Sequence, residues 1–528
     1  MTLETFFDQF ADAPGSVAKM RELVLRLAVQ GKLVNQLPSE EPATKLLDRV
    51  QKTKERLIKE RAIRRQETDS ISNDIAPFPI PQSWVWTRLG EIGDWGSGST
   101  PPRGNHDLYD GEITWLKSGE LKDVPALAGS SETVTERALK TGSFRRNQPG
   151  DVLFAMYGAT IGKVAILAEP AVTNQAVCGC TPFEGVSNRY LFNYLISQRA
   201  AFHEASEGGA QPNLSKVKIV AFPFPLPPLA EQKRIVAKVD ELMALCDRLE
   251  AQQQEREIRH AALSRASLAR FAETPIPANL KLLFHPSYAI PPADLRKSIL
   301  TLAVQGKLVP QDPNDEPAEQ YVGQNEELQE SAQFEIPEEW TWTQLSQLAE
   351  INGGFAFKST DYTDEGTRVV RISDFDEFGF KDHRVVRHPY SSELKKFTLA
   401  ENNILMAMTG GTVGKSYFAK SLPEPMVVNQ RVAAIKVLAH AIPSYIDIVI
   451  RSEMTQEVIQ LAKNSTNDNI SMGDIKRFAI PLPPLAEQRR IVAKVDQLMA
   501  LVDQLETQLT ASRATAANLL SAVVAELT

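Results

Sequence analysis

A chain of 528 residues exceeds what one hydrophobic core organises, so two or more domains are expected. Its 43% hydrophobic and 23% charged residues match a globular protein, and the formal charge of −8 argues weakly against nucleic acid unless a local basic face exists. Cys178, Cys180 and Cys246 are too few for a disulfide framework or a four-ligand zinc site. No apolar run reaches membrane-spanning length, and the acidic N-terminus lacks a secretory layout, so a cytoplasmic location is expected, with no membrane partner.

In chain order, the first marker is LAVQGKLV at Leu27–Val34. Lys45–Arg65 then carries nine Lys/Arg against three Asp/Glu in a helix-forming run, either a solvated charged face or an anion-binding one. IPQSWVWTRL (Ile80–Leu89) opens a block of short apolar strands such as Gly150–Tyr157, followed by an amphipathic helix over 187–205. PLPPLAEQ (Pro225–Gln232) closes the block, and a long helix runs from Leu229 to about Phe271. There Ile235, Val239, Leu242, Cys246 and Leu249 follow the four–three spacing of a coiled-coil seam, which makes Cys246 a small buried hydrophobe.

The series then repeats. LAVQGKLV returns at Leu302–Val309, IPEEWTWTQL at Ile336–Leu345, a strand at Asn403–Met408, a helix at 443–463 and PLPPLAEQ at Pro481–Gln488. The last helix carries Ile491, Val495, Leu498, Val502 and Leu505, continued by Leu509, Ala516, Leu519 and Val523. The first marker repeats at an offset of 275 and the later ones at 256, so the 19 extra residues lie in the first linker with the basic helix. The N-terminal LAVQGKLV lacks a long helix before it, and the C-terminal helix lacks the marker after it. Docking that helix beside residues 16–36 would complete a circle.

The expected domains are therefore 1–36, an N-terminal helical element packed with the C-terminal helix; 37–79, a basic helical linker; and 80–228, a first globular domain. Residues 229–335 form a central region, 336–484 a second globular domain, and 485–528 the C-terminal helix. The fold class is mixed α/β (α+β): two similar domains separated by two long antiparallel coiled-coil helices, with circular pseudo-twofold symmetry.

Inside the blocks, GATIGK (Gly158–Lys163) answers GGTVGK (Gly410–Lys415). Asn174-Gln175 answers Asn429-Gln430, Tyr190 answers Tyr445, and NLS at Asn213 answers NIS at Asn469. Between these anchors the halves diverge, as where Trp115–Ser118 faces Val370–Ser373. A shared frame with unlike loops suits two different ligands held in the same way.

GGTVGKS resembles a phosphate-binding loop, but its glycines are one residue too close and Val164 replaces the metal-binding hydroxyl in the first copy. It is read as a turn whose Lys163 and Lys415 can meet phosphates. Asp110, Glu120 and Lys122 mimic a metal-dependent nuclease cluster, without the lysine in the second half. HExxH, GxSxG, CxxC and the Asn/Asp-Pro-Pro-aromatic methyltransferase motif are missing from the sequence, so a non-catalytic chain without a metal site is expected. Loop position nominates Ser99, Thr100, Arg103, Lys117, Ser118, Thr160, Lys163, Asn213 and Lys216 as DNA contacts in the first block. In the second it nominates Lys358, Ser359, Arg371, Ser373, Thr412, Lys415, Arg431 and Asn469. Ordinary solvent loops are the alternative.

LAVQGKLVPQDPNDEPA (302–318), IPEEW (336–340), the GGTVGK turn, NIS at Asn469 and IPLPPLAEQRRIVAKVDQLM (480–499), with its twin at 224–243, resemble the specificity (S) subunit of type I restriction–modification systems. The resemblance covers essentially the whole chain. It implies that blocks 80–228 and 336–484 are target-recognition domains, each reading one half of a bipartite, asymmetric site on double-stranded DNA. The helices would be spacers and the docking surface for two methyltransferase (M) subunits, with Ile235, Val239, Leu242, Leu249, Ile491, Val495, Leu498 and Leu505 as the docking and spacer positions, their apolar seams covered by the other helix. Restriction (R) translocase/nuclease subunits would join them. S-adenosylmethionine, ATP and Mg2+ are then expected on the partners and none on this chain. Two modules on a rigid rod suit grooves about one helical turn (~34 Å) apart. The other readings are a scaffold or regulator of the same fold, and a metal-dependent nuclease.

Overall fold

The computed structural model describes residues 13, 15–65, 77–206, 212–273, 283, 290–323, 325–330, 332–463 and 468–527. Most of 1–15, residues 66–76 of the expected linker and most of 274–289 in the central region lie outside them. Two compact units form, residues 1–254 with 513–528 and residues 255–512.

The first unit begins with α1 (Ser16–Val29) and α2 (Ala43–Lys59). Antiparallel pairing of β1 (Val85–Arg88) with β10 (Pro223–Leu226) ties the two ends of the block together. Between them lie a five-stranded sheet and a three-stranded one. The larger has the order β2 (Gly93–Ser97), β9 (Val177–Pro182), β6 (Val152–Ala155), β7 (Val164–Leu167), β4 (Val124–Leu127). The smaller runs β5 (Thr133–Val134), β3 (Tyr109–Leu116), β8 (Val172–Thr173). Both faces of β6 and β7 are covered, which is why VLFA and VAIL are wholly apolar.

The expected helix over 187–205 is instead two, α3 (Asn188–Ser197) and α4 (Arg199–Glu204). The break at Gln198 lets Phe202 turn inward onto Phe154, with centroids 4.9 Å apart, and onto Phe222 at 4.2 Å. Helix α5 (Leu229–Glu273) follows the block.

The second unit repeats the plan. It opens with α6 (Pro292–Val304), and β11 (Thr341–Gln344) pairs with β21 (Ala479–Leu482). Its four-stranded sheet is β12 (Ala349–Gly353), β20 (Val432–Val437), β17 (Asn403–Ala407), β18 (Ser416–Ala419). A three-stranded sheet is β16 (Val386–His388), β13 (Thr367–Val370), β19 (Met426–Val428). The hairpin β14 (Phe375–Asp376)–β15 (Gly379–Phe380) contacts β18, and among the described residues no fifth strand pairs beyond β18 as β4 does beyond β7. The expected helix at 443–463 is again split, into α7 (Pro443–Arg451) and α8 (Glu453–Ala462), by Ser452 in an extended conformation. The last helix is α9 (Leu485–Leu527).

The two duplicated peptides meet in each unit. Gly31 and Gly306 take φ of +71° and +69°, and a Cβ there would come within 2.4 Å and 2.5 Å of Pro81 and Pro337. Only glycine therefore lets LAVQGKLV seat on the IPxxW segment. Glu231 and Glu487 of LAEQ accept from Gln36 at 2.6 Å and Gln311 at 2.8 Å, and Trp340 donates to Glu487 at 2.9 Å. Burial raises both carboxyls above the usual carboxylate range. Gln232 accepts from the Ser187 N–H at 2.7 Å, as Gln488 does from Ile442 at 2.8 Å. Arg21 bridges Asp247 and Glu250, and Arg296 bridges Asp503 and Glu506, all at 2.7 Å.

Ile235, Val239, Leu242 and Cys246 are buried in one cluster with Met20, Leu23, Val24 and Leu27 of α1, and Leu249 is half-buried beside them. Ile491, Val495, Leu498 and Val502 occupy the same role in the second unit, with Leu505 half-buried. The N-terminal part of each seam is thus packed with the marker helix of its own unit. The second seam continues through Leu520 and not, as its spacing predicts, through Leu519. Leu519 is 53% exposed, whereas Leu520 is fully buried in the first unit with Ala516, Val523 and Val524 packed nearby. A four-residue step from Ala516 points Leu520, not Leu519, into that core.

The basic run is also not wholly an insertion. The Ala43 N–H donates to Ser83 and the Ala318 N–H to Glu339, so both linkers begin a helix at the same anchor. In the second linker it ends after Glu319–Val322 at Gly323, which has φ +71°. In the first it continues as α2, burying Leu46, Val50 and Lys54, whose Nζ meets Glu91 at 2.9 Å. Lys45, Lys52, Arg56 and Lys59 face solvent.

Candidate nucleic-acid interface

In the first block, backbone hydrogen bonds join four loops at one end of the sheets. Gly98 and Ser99 donate to Val177 at 3.1 Å and Thr173 at 2.9 Å; Asn174 donates to Leu116 at 2.9 Å. Met156 donates to Ala176 at 2.8 Å, Gly158 to Pro212 at 2.8 Å and Leu214 to Met156 at 2.9 Å. The glycine-rich loop, the end of β3, the Asn174–Ala176 turn, the GATIGK turn and the NLS segment therefore form one contiguous surface.

The second block repeats this wiring. Phe355 donates to Val428 at 2.8 Å, Asn429 to Val370 at 2.9 Å, Met408 to Arg431 at 2.9 Å and Ile470 to Met408 at 2.9 Å. A Cβ on Gly98 would lie 1.9 Å from the Thr173 carbonyl oxygen, and one on Gly354 would lie 2.2 Å from that of Val428. These glycines serve close backbone approach.

The wiring corrects the sequence register by one residue. Leu116 matches Val370, so Lys117 corresponds to Arg371 and Glu120 to Asp374. Glu120 accepts from the Lys117 N–H at 2.8 Å and Asp374 from the Arg371 N–H at 3.0 Å, the same turn closure in both halves. Burial raises the Glu120 carboxyl, but the N–H groups of Ser131 and Lys117 outweigh it and hold the group below its usual range. Glu120 is a structural acceptor, which removes the basis for a nuclease reading with Asp110 and Lys122. Among the described residues no group of three His, Cys, Asp or Glu is placed to hold a metal ion.

The nominated side chains differ in what they already touch. In the first block Arg103 and Lys117 both pair with Glu132, at 2.8 Å and 2.5 Å, and hold its carboxyl below the usual range. The Arg103 guanidinium also lies over the rings of Tyr109 and Trp115, at 5.0 Å and 5.1 Å. The Ser99 carbonyl accepts from Trp115 at 3.1 Å, and the Thr100 hydroxyl meets Gln175. Ser118 begins a 3-10 turn. Lys163 pairs with Asp123 at 2.9 Å, a carboxylate that Arg199 shares at 2.6 Å. Thr160 donates to the Tyr157 carbonyl at 2.8 Å, Asn213 is exposed, and Lys216 starts the helix Lys216–Ala221.

In the second block Lys358, Ser359, Lys415, Arg431 and Asn469 are exposed. Arg371 is held by Asp374 at 2.8 Å, and Ser373 donates to the same carboxylate at 2.8 Å. Thr412 donates to the Thr409 carbonyl at 3.4 Å. Lys415 and Arg431 stand on adjoining, hydrogen-bonded turns, whereas Lys358 and Ser359 sit farther along their loop, whose Phe355 and Phe357 pack with Phe397 and Tyr362. Glu132 and Asp123, which set the charge of the first surface, escaped the sequence reading. They lie 15 and 40 residues from the lysines they pair with, beyond any local pattern.

The profile of the type I restriction modification DNA specificity domain matches residues 81–260 and again 337–512. The chain belongs to this family. The specificity subunit of the type I restriction enzyme EcoAI from Escherichia coli is 28% identical, the alignment covering 96% of this chain and 93% of that protein. The EcoEI specificity subunit, also from Escherichia coli, is 24% identical over the same shares. A solved chain from a study of assembly and conformational transition in a type I R-M system aligns with a TM-score of 0.55 and 21% identity. It covers 85% of this chain and 99% of that one, a likeness that bears on fold alone. The two matched segments of the specificity-domain family each span one wired loop surface and run on into α5 or α9. No helix among the described residues is long and apolar enough to cross a membrane.

Proposed function

We propose that this chain is the DNA-specificity subunit of a type I restriction–modification enzyme, each block reading one part of a bipartite double-stranded target. The supporting observation is the loop wiring, whose joints at Ser99 and Phe355, Asn174 and Asn429, Met156 and Met408, and Leu214 and Ile470 recur around side chains that differ between blocks. A fixed frame presenting unlike side chains gives two unlike half-sites. The subunit is non-catalytic and acts in the cytoplasm. Two methyltransferase subunits dock on it and bring S-adenosylmethionine. Restriction subunits join them and bring ATP and Mg2+.

Exchanging residues 336–484 for the corresponding block of another family member tests this. Sequencing the methylated sites of a host carrying the hybrid is expected to show one altered half-site and one unchanged. Two altered halves, or none, would refute block-wise reading.

The charge pairs of the first block give a second test. Glu132→Gln is expected to free Arg103 and Lys117 for phosphates, tightening DNA binding and steepening its salt dependence by roughly one to two ions. A salt slope equal to wild type would place both cations away from DNA.

A further inference from the structure

Residues shared by both blocks while their surroundings diverge serve either the frame or something outside it. Most belong to the frame. Asn174 and Asn429 accept from the N–H groups of Ala176 at 3.2 Å and Arg431 at 3.1 Å. Thr160 and Thr412 close their own turns, and Ser215 and Ser471 cap the helices that follow them. Asn213 and Asn469 are exposed but bridge the backbones of Tyr157 and Thr409, which leaves Gln175 and Gln430. Both lie at the centre of the wired surface, next to the backbone joint with Met156 or Met408, and both side chains are exposed. Gln175 accepts from Thr100, but Gln430 has no side-chain hydrogen-bond partner among the described residues. The pair thus shares no task within the frame.

We propose that Gln175 and Gln430 are sequence-independent DNA contacts common to the two blocks, each donating its amide N–H to a backbone phosphate. This rests on the DNA-recognition reading above. Two half-sites of different sequence share their sugar–phosphate backbone at every position, whatever bases they have in common. A neutral amide there fixes register without reading bases. The same carboxamide could instead bridge the N6/N7 edge of an adenine, and that contact would be sequence-dependent.

The test uses the full chain assembled with its methyltransferase subunits. It is titrated against a duplex bearing its methylated target and against the same duplex with both half-sites scrambled. Gln175→Ala and Gln430→Ala are each expected to weaken both duplexes by the same factor, about ten- to a hundredfold, from loss of one hydrogen bond to a charged acceptor. The salt slope stays unchanged because no charge is removed. Gln175→Glu and Gln430→Glu keep the side-chain shape, set a carboxylate against the phosphate and are expected to weaken binding further. Matching melting curves control for folding. Loss on the target duplex alone, no loss on either, or glutamate variants that bind as wild type overturn the proposal. Wild-type protein that fails to distinguish the duplexes counts against the recognition reading instead.

Discussion

Gln488→Leu is expected to destabilise the second unit by about 2–6 kcal/mol, since each of the two buried backbone groups left unpaired costs about 1–3 kcal/mol. The Gln488 side chain is fully buried; it accepts from the Ile442 N–H at 2.8 Å and donates to the Pro483 carbonyl at 3.0 Å. Leucine fills a similar volume but satisfies neither group. Gln232→Leu is expected to act likewise on the first unit, stranding the Ser187 N–H and the carbonyls of Gly185 and Pro227. Denaturant midpoints at constant slope would show the loss. A change under about 0.5 kcal/mol, the range of neutral surface substitutions, would mean that water replaces the amide.

Leu520→Ala is expected to cost about 2–5 kcal/mol, and the neighbouring Leu519→Ala less than about 0.5 kcal/mol. The contrast follows from burial alone, because Leu520 is 0% exposed and Leu519 53%. The lost stability belongs to the N-terminal unit although the change lies near the C-terminus, since residues 513–528 are part of that unit. Lys19 reaches Ser521 at 2.5 Å on the same surface. Amide exchange in α1 should therefore quicken in Leu520→Ala and not in Leu519→Ala. Equal effects of the two substitutions would show that the helix presents a different face.

Much of the frame was legible because it is written in short repeated peptides with local consequences. Apolar runs such as VLFA and NILMA are strands with both faces buried, and the four–three spacing of Ile235 to Cys246 is a buried stripe. Helix breaks were not legible. Gln198 and Ser452 interrupt amphipathic patterns that continue through them, because the pull on Phe202 and Ile459 comes from core residues distant in sequence. The contact loops were legible by position only. Loop position marks Arg103, Lys117 and Lys163 as DNA contacts, yet each is met by a carboxylate outside its own loop.

The sequence alone determined that one unit is built twice, which peptides are its joints and where the halves diverge. Duplicated peptides with unequal offsets carry that information without coordinates. Tertiary structure decided what each joint residue does: that glycine in LAVQGKLV is required by a proline of another segment, and that Gln232 and Gln488 satisfy backbone groups about 45 residues away. It also decided which charges remain available and which leucine of the last helix is buried. Both depend on partners brought together by folding, and side-chain spacing along one segment cannot encode a partner on another.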